Sequence, residues 1–256
     1  AAPAKPARLL LVGVASERLR LSLVVETRAR ELFAPLGPSY DRYARLLSFG
    51  QDPAWRRFLV SRLHVGPDDV VLDLATGTGA VALELVRRTG CSVVGVDQSP
   101  EMLAEARRQI SRADTTRIRL VEGSAERLEF DDASFDGLTA AYLLRYLNDL
   151  PTGLRKLARV LRAGAPFALL DFGVPPAPLP RAAWNLYVNV GLPTLGRAIS
   201  PGWHEVGRFL GGSIRDFDQR WPVGGLVEVA TEVGFEDVRA RRLSLGGCTV
   251  LWGRRA

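Results

Sequence analysis

One loop between an apolar run and a helical pattern carries the residues best suited to chemistry. The segment Asp73-Leu-Ala-Thr-Gly77-Thr78-Gly79 closes the apolar run 70–75, and Asp97 ends the next apolar run, twenty residues after Gly77. Glycine allows the backbone to turn tightly and to approach a ligand where side chains would collide. A carboxylate at Asp97 can accept two hydrogen bonds from ribose hydroxyls. The pattern therefore predicts a nucleotide-binding loop.

The kind of nucleotide is decided by the charge next to this loop. Gly77-x-Gly79-x-x-Ala82 also satisfies the dinucleotide fingerprint, but a dinucleotide needs a helix amino end that is free to bind pyrophosphate. Asp73 places a negative charge beside the pocket. This favours a cationic ligand with an amino-acid head, S-adenosylmethionine, whose ammonium and sulfonium are both positive. A nicotinamide-dependent oxidoreductase and a glycine-rich turn without a ligand are the alternatives.

Residues adjoining the loop and the following strands are further candidates for cofactor contacts. They are Ala75, Thr76, Gln98, Met102, Ser124 and Ala125. Ser124 occupies a position where a polar group usually meets adenine, but it could equally cap the next helix. Met102 lies on an apolar helix face, which is as typical of a core residue as of an adenine contact.

Two further ionisable residues are candidates for the acceptor side of the site. Asp171 lies inside an apolar strand near its carboxyl end, where an acid needs either a partner or a function. His204 is a candidate general base, with a solvated loop histidine as the alternative. Cys91 and Cys248 are expected to be buried small residues rather than nucleophiles, and no clustered carboxylates indicate a metal site.

The elements that must position these residues follow from the alternation of apolar runs with helical patterns. Predicted strands lie at 70–75, 93–97, 118–121, 135–140, 167–172, 236–243 and 247–253. Strands separated by helices predict an α/β, Rossmann-like fold with a mostly parallel seven-stranded sheet. The turn at Gly246-Gly247 predicts an antiparallel C-terminal hairpin, which resembles the end of the class I methyltransferase fold.

The expected domain organisation is an N-terminal extension, 1–22, followed by one domain, 23–256. Within that domain, the pattern of residues 23–66 predicts a helical cap. The proline-rich and aromatic stretch 175–221 predicts a helical lid inserted over the carboxyl edge of the sheet.

Composition excludes several classes of protein. Of the 256 residues 47% are hydrophobic, which rules out general disorder, and two cysteines cannot build a disulfide framework. No apolar run is long enough to span a membrane. The formal charge of +6 comes almost wholly from arginine, with Lys5 and Lys156 the only lysines. It is compatible with nucleic acid, an anionic membrane surface or arginine-rich codon usage. The arginines form no run, which argues against a nucleic-acid partner.

Taken together, these segments resemble the ubiquinone/menaquinone biosynthesis C-methyltransferases over about residues 33–253. The matching pieces are Tyr40-Asp41, Leu47-Ser48-Phe49-Gly50, Trp55, residues 71–79, Arg159-Val160-Leu161, Leu170-Asp171-Phe172, Leu192-Pro193, Leu195-Gly196, Ile199-Ser200, Phe209-Leu210, Ser213-Ile214, Gly234-Phe235 and Gly246-Gly247. Their order and spacing are more specific than the glycine loop alone.

The resemblance implies particular site residues. It places cofactor contacts at Thr78, Asp97, Ser124, Ala125 and Ala141. The family's substrate-side run Phe-Gly-Leu-Arg-Asn falls on residues 142–146, where arginine is kept as Arg145.

This chain departs from the family pattern mainly on the substrate side. The run 142–146 has Tyr142, Leu143 and Tyr146 in place of the family's phenylalanine, glycine and asparagine. The remaining departures are a histidine replaced by Asp52, an acid replaced by Ala80, and two lid tyrosines replaced by Gly207 and Phe209.

The activity that the resemblance implies is methyl transfer from S-adenosylmethionine to a ring carbon of a prenylated quinol, such as demethylmenaquinol. Arg145 is expected to stabilise the quinol oxyanion, directly or through a water. Tyr40, Tyr142 and Tyr146 would form aromatic walls or hold the hydroxyls. The alternatives are another small aromatic, lipid or natural-product acceptor and an RNA methyltransferase. Further expectations are a cytoplasmic location with peripheral contact at the inner face of the membrane, and a homodimer.

Overall fold

A computed structural model describes residues 31–256. The predicted extension 1–22 and residues 23–30 of the predicted cap lie outside the described residues. The strands are β1 Val70–Leu74, β2 Ser92–Asp97, β3 Ile118–Glu122, β4 Gly137–Ala141, β5 Pro166–Phe172, β6 Phe235–Leu243 and β7 Cys248–Arg255. The helices are α1 Tyr40–Leu47, α2 Asp52–Val60, α3 Ala80–Thr89, α4 Pro100–Arg112, α5 Leu150–Val160, α6 Pro178–Leu186, α7 Leu192–Ile199, α8 Pro201–Arg220 and α9 Val223–Glu232.

The seven strands form one sheet in the order β3-β2-β1-β4-β5-β7-β6. The first five strands are parallel, and β7 pairs antiparallel with both β5 and β6. Helices cover both faces, which is why β1 is an apolar run rather than an alternating one. The predicted fold class is confirmed, including the antiparallel C-terminal hairpin.

Strand order places the candidate site. The chain moves outward from β1 to β2 and β3, then crosses back to β4 on the other side of β1. The carboxyl ends of β1 and β4 therefore flank a topological switch point, where open α/β sheets bind ligands. The loop after β1 begins at this edge, and Tyr142 follows β4 directly.

The helical insertion packs on the N-terminal helices. Leu36 and Leu47 share an apolar cluster with Leu192, Trp203 and Val206. Helices α7 and α8 approach so closely that a Cβ at Gly196 would lie 2.3 Å from the backbone oxygen of Trp203. The insertion and the N-terminal helices thus form a second layer over the carboxyl edge of the sheet. None of the described helices is long and apolar enough to cross a membrane.

Candidate active site

The loop after β1 turns through three left-handed residues. Ala75, Gly77 and Gly79 have φ values of 52°, 55° and 82°, and Gly79 is the N-cap of α3. The loop is fixed to the neighbouring strand because the Thr76 amide donates to the Val96 carbonyl at 3.0 Å. Positive φ is costly for alanine, so its presence at Ala75 is typical of a backbone shaped around a ligand.

Asp97, at the end of β2, is held by backbone amides. Its Oδ2 accepts from the Gly77 amide at 2.8 Å and its Oδ1 from the Ser99 amide at 2.9 Å. Burial raises the pKa of this carboxyl, while these amides lower it. The Gln98 amide also lowers this pKa. A carboxylate has about four acceptor positions, so these three amides leave acceptor capacity for a ligand hydroxyl. The position predicted for Asp97 is therefore chemically suited to a ribose diol.

Asp73 lies deeper than the sequence predicted. It is 1% exposed, and its two oxygens accept from the Thr76 hydroxyl at 2.6 Å and the Thr139 hydroxyl at 2.7 Å. Burial raises its pKa to about 6, although both hydroxyl bonds lower it. Asp73 is not among the residues that line the cavity described below, but Thr76, to which it is bonded, is. The carboxylate lies beneath the loop and holds Thr76 in place.

A cavity of ≈ 150 Å³ opens at the switch point. On one side it is lined by predicted cofactor residues, namely Ala75, Thr76, Gly77, Thr78, Asp97, Gln98, Met102, Ser124, Ala125 and Ala141. Gly79 is not among the lining residues because it turns the chain into α3. Ser124 caps no helix; its hydroxyl accepts from the Glu126 amide at 3.1 Å. This side of the cavity suits a nucleoside. The carboxylate of Asp97 can accept from ribose hydroxyls, Met102 offers an apolar wall to the base, and the positive-φ turn lets the backbone approach closely.

The other side of the cavity is aromatic and cationic. It is lined by Phe33, Tyr40, Arg56, Tyr142, Arg145 and Tyr146. The predicted residues Tyr40, Tyr142, Arg145 and Tyr146 therefore converge with the cofactor side. Burial raises the pKa of all three tyrosines, so they are neutral hydrogen-bond donors at physiological pH.

Arg145 is buried and ion-paired. Its Nη1 donates to Asp171, and its Nη2 donates to the Tyr146 hydroxyl at 3.0 Å. The guanidinium carbon also lies 4.4 Å from the Tyr146 ring centroid and 5.1 Å from that of Phe172. Because Asp171 neutralises this cation, Arg145 can polarise Tyr146 more readily than it can supply a free positive charge.

Asp171 and His204 are not at the cavity, contrary to the sequence-based predictions. Asp171 needed a partner, and it has one in Arg145; it lines a separate pocket of ≈ 10 Å³, about the size of one water. His204 lies in α8, where its Nδ1 is 3.0 Å from the Pro193 carbonyl. No residue of 175–221 is among those lining the cavity. Instead the insertion supports the wall from behind, with Trp203 stacked on Tyr40 and Phe209 on Tyr146.

Sequence reasoning missed a polar cluster made by Asp52, Arg56 and Tyr142. The Tyr142 hydroxyl donates to Asp52 Oδ1 at 2.6 Å, and Arg56 Nε lies 3.0 Å from Asp52 Oδ2. Asp52 and Arg56 are buried and Tyr142 is half-buried. Tyr142 has a φ of 63° and stacks on Phe172. Positions 52 and 142 had been noted separately as departures from the family pattern. The structure shows that these two positions are in direct contact.

The topology, the glycine turn and the carboxylate at the end of β2 together define a class I S-adenosylmethionine-dependent methyltransferase. Within that class, the model of the ubiE/COQ5 methyltransferase family matches residues 22–255. The chain belongs to this family.

Curated relatives extend over most of the chain. The ubiquinone/menaquinone biosynthesis C-methyltransferase UbiE of Geobacter sp. (strain M21) is 37% identical over 231 residues, covering 89% of this chain and 96% of that protein. The demethylmenaquinone methyltransferase of Thermus thermophilus is 37% identical over 225 residues, covering 88% of this chain and 100% of that protein.

Solved structures show the same fold at low identity. A possible histamine N-methyltransferase from Thermotoga maritima superposes with a TM-score of 0.59 at 18% identity, covering 89% of this chain and 99% of that one. A putative methyltransferase in complex with the Haloferax volcanii Trm112 activator superposes with a TM-score of 0.63 at 20% identity, covering 87% of this chain and 97% of that one.

Among residues 31–256 no three His, Cys, Asp or Glu side chains are grouped so that they could hold a metal ion.

Proposed function

We propose that this methyltransferase methylates a ring carbon of a prenylated quinol, with demethylmenaquinol as the leading acceptor. The main support is one cavity with two chemically different sides, a nucleoside-type loop opposite three half-buried tyrosines. The names of the relatives supply the acceptor class. We further propose that the enzyme works in the cytoplasm at the inner face of the membrane, because a prenylated acceptor partitions into lipid.

The cofactor side has a binding role. S-adenosylmethionine supplies an activated methyl group when it is bound. Asp97 would accept the ribose hydroxyls, Met102 and Ala125 would contact the base, and the loop 75–78 would enclose the remainder. The task of the protein is then alignment of the acceptor carbon and exclusion of water.

On the acceptor side, a quinol hydroxyl must lose its proton so that electron density reaches the adjacent ring carbon. After transfer, that carbon must release its own hydrogen as a proton to solvent so that the aromatic ring is restored. Tyr142 and Asp52 offer a route for this proton. The acceptor hydroxyl would donate to the Tyr142 oxygen while the Tyr142 proton moves to Asp52, with Arg56 keeping the carboxylate oriented. Tyr146, polarised by Arg145, would donate its own proton in a hydrogen bond to the developing oxyanion.

This arrangement revises the role of Arg145. The sequence suggested an arginine acting on the oxyanion directly or through a water. The pairing with Asp171 favours action through the Tyr146 hydroxyl, so we assign Arg145 as a positioning residue.

The test is methyl transfer from labelled cofactor to a panel of quinols and other aromatic acceptors. Tyr142→Phe is expected to lower kcat for the quinol by about 10²-fold or more, the usual contribution of a positioned acid or base. Its affinity for S-adenosylhomocysteine should remain at the wild-type value in calorimetry. Tyr43→Phe is the matched control, because Tyr43 contacts Trp203 rather than the cavity. Wild-type protein that methylates no quinol would contradict the proposal.

A second candidate is another small aromatic acceptor, and the polar pair Asp52–Tyr142 favours it. The family has histidine at the position of Asp52 and phenylalanine at the position of Tyr142. The cavity of this chain therefore presents a different group for proton transfer. Transfer to a phenol or hydroxylated heterocycle in the same panel, without transfer to the quinol, would select this candidate.

A further inference from the structure

Helix α6 lacks the buried face that a surface helix normally has. None of the residues in Pro178–Leu186 is buried, although its sequence PLPRAAWNL contains a single charged residue. Leu179 is 82% exposed and Leu186 66%. These leucines are seven residues apart, which is two helical turns, so they lie on the same face. This apolar face has no partner among the described residues.

The exposed face continues onto the N-terminal helices. The π-helical turn Tyr187–Gly191 extends α6 and carries Val190, which is 55% exposed. The Tyr187 ring lies 5.0 Å from that of Phe49, and its hydroxyl donates to the Leu47 carbonyl. Phe49 and its neighbour Leu46 are 70% and 60% exposed. Leu46, Phe49, Leu179, Leu186 and Val190 are called the apolar surface below.

The charges carried by the two segments that build the apolar surface all have one sign. The two segments that build it, 42–51 and 174–199, contain Arg42, Arg45, Arg181 and Arg197 and no acidic residue. All four arginines are exposed, and none forms an ion pair with a described residue. Large exposed apolar patches mark interaction sites, and an apolar face flanked by arginine fits the headgroup region of an anionic bilayer.

We propose that the apolar surface docks this enzyme on an anionic lipid bilayer. A second copy of the chain fits less well, because a two-fold contact would bring the same four arginines of each copy together. In a bilayer, the leucines and Phe49 contact acyl chains while the arginines contact the phosphates.

Helix α1 connects this surface to the cavity. Tyr40 at its start lines the cavity, and Leu47 at its end carries the carbonyl that binds Tyr187. Seven residues at about 1.5 Å each place the two ends of the helix roughly 10 Å apart. If the acceptor is membrane-borne, as the proposed function has it, it would need to move only a short distance from lipid to Tyr40.

Co-sedimentation with phosphatidylglycerol/phosphatidylcholine vesicles tests the proposal on the full chain. Wild-type protein should sediment with anionic vesicles and stay in solution with pure phosphatidylcholine. Leu179→Ser/Leu186→Ser should weaken binding at least 10-fold, and so should Arg42→Gln/Arg45→Gln/Arg181→Gln. The control is Arg107→Gln/Arg112→Gln/Arg239→Gln, because these exposed arginines lie outside the apolar surface. If the control loses vesicle binding to the same extent, the effect is one of general charge and the proposal is overturned.

Two measurements keep this result separate from the proposed function. Methyl transfer to a short-tailed, water-soluble acceptor should be unchanged in the leucine variant, with an unchanged thermal midpoint. Transfer to a long-tailed acceptor in anionic vesicles should fall. Failure of wild-type protein to bind anionic vesicles would overturn the docking proposal even if soluble acceptors are methylated. A dimer in size-exclusion chromatography that Leu179→Ser/Leu186→Ser dissociates would assign the surface to a second copy instead.

Discussion

Replacing Asp73 by asparagine should change how stability depends on pH. Burial raises the pKa of Asp73 from 3.8 to about 6, so the folded protein binds this proton more tightly than the unfolded chain does between those pH values. The contribution of Asp73 to the free energy of unfolding therefore falls as pH rises from about 4 to above 6. One pKa unit corresponds to about 1.4 kcal/mol, so the ionised carboxylate costs about 3 kcal/mol at neutral pH.

The asparagine side chain has nearly the same shape and does not ionise. Its amide can still exchange hydrogen bonds with the hydroxyls of Thr76 and Thr139. Urea unfolding of both proteins without cofactor, from pH 4 to pH 8, isolates the effect because all other groups cancel in the difference. Relative to wild type, Asp73→Asn should gain about 3 kcal/mol over this range. Parallel curves would refute the reasoning that burial of the charge destabilises the fold.

The same substitution should weaken cofactor binding. A carboxylate that is kept ionised at a cost in stability is typical of a functional site. Asp73 lies directly beneath the loop that encloses the cationic cofactor. Calorimetry should therefore show a lower affinity of Asp73→Asn for S-adenosylmethionine, alongside its higher stability at pH 7. Unchanged affinity would limit Asp73 to holding the loop.

Three further substitutions test other contacts. Asp97→Ala should weaken cofactor binding by roughly 10²-fold in calorimetry, because each hydrogen bond from a ligand hydroxyl to a charged acceptor contributes about 1.5–3 kcal/mol. Unchanged affinity would show that Asp97 does not bind the cofactor. Arg145→Ala should lower the free energy of unfolding by about 3–5 kcal/mol, because Asp171 stays buried without its cation. The double variant Arg145→Met/Asp171→Leu should recover most of this loss in denaturant unfolding, and strictly additive losses would contradict the pairing. Gly196→Ala should lower the thermal midpoint by several degrees, because its Cβ would clash with the backbone of α8 at a cost of about 1–3 kcal/mol; an unchanged midpoint in calorimetry would show that the helices can separate.

The central strands of the sheet could be predicted from the sequence because they are buried on both faces. The runs 70–75 and 167–172 differ from β1 and β5 by one residue at a single end of each. The start of α5 is set by local chemistry as well, since the Asp149 side chain accepts from the Thr152 amide. These features depend on neighbours within a few residues, which a single sequence contains.

The direction of the site carboxylates could not be predicted in the same way. Asp73 is held by Thr139, 66 residues later, and Asp52 by Tyr142, 90 residues later. Such contacts depend on which strands and helices become neighbours, and on side-chain rotamers, neither of which has a local signal. The one available clue to the Asp52–Tyr142 contact was that both positions differ from the family pattern.

Helix α1 has a consequence for the physiology of the cell that makes this enzyme. Because one end of α1 lines the cavity and the other reaches the apolar surface, a docked enzyme could select its acceptor by the ring while the isoprenoid chain stays in lipid. An enzyme that works in this way is indifferent to chain length. A cell could then lengthen or shorten its quinone tails, as growth temperature or membrane fluidity demands, without altering this step.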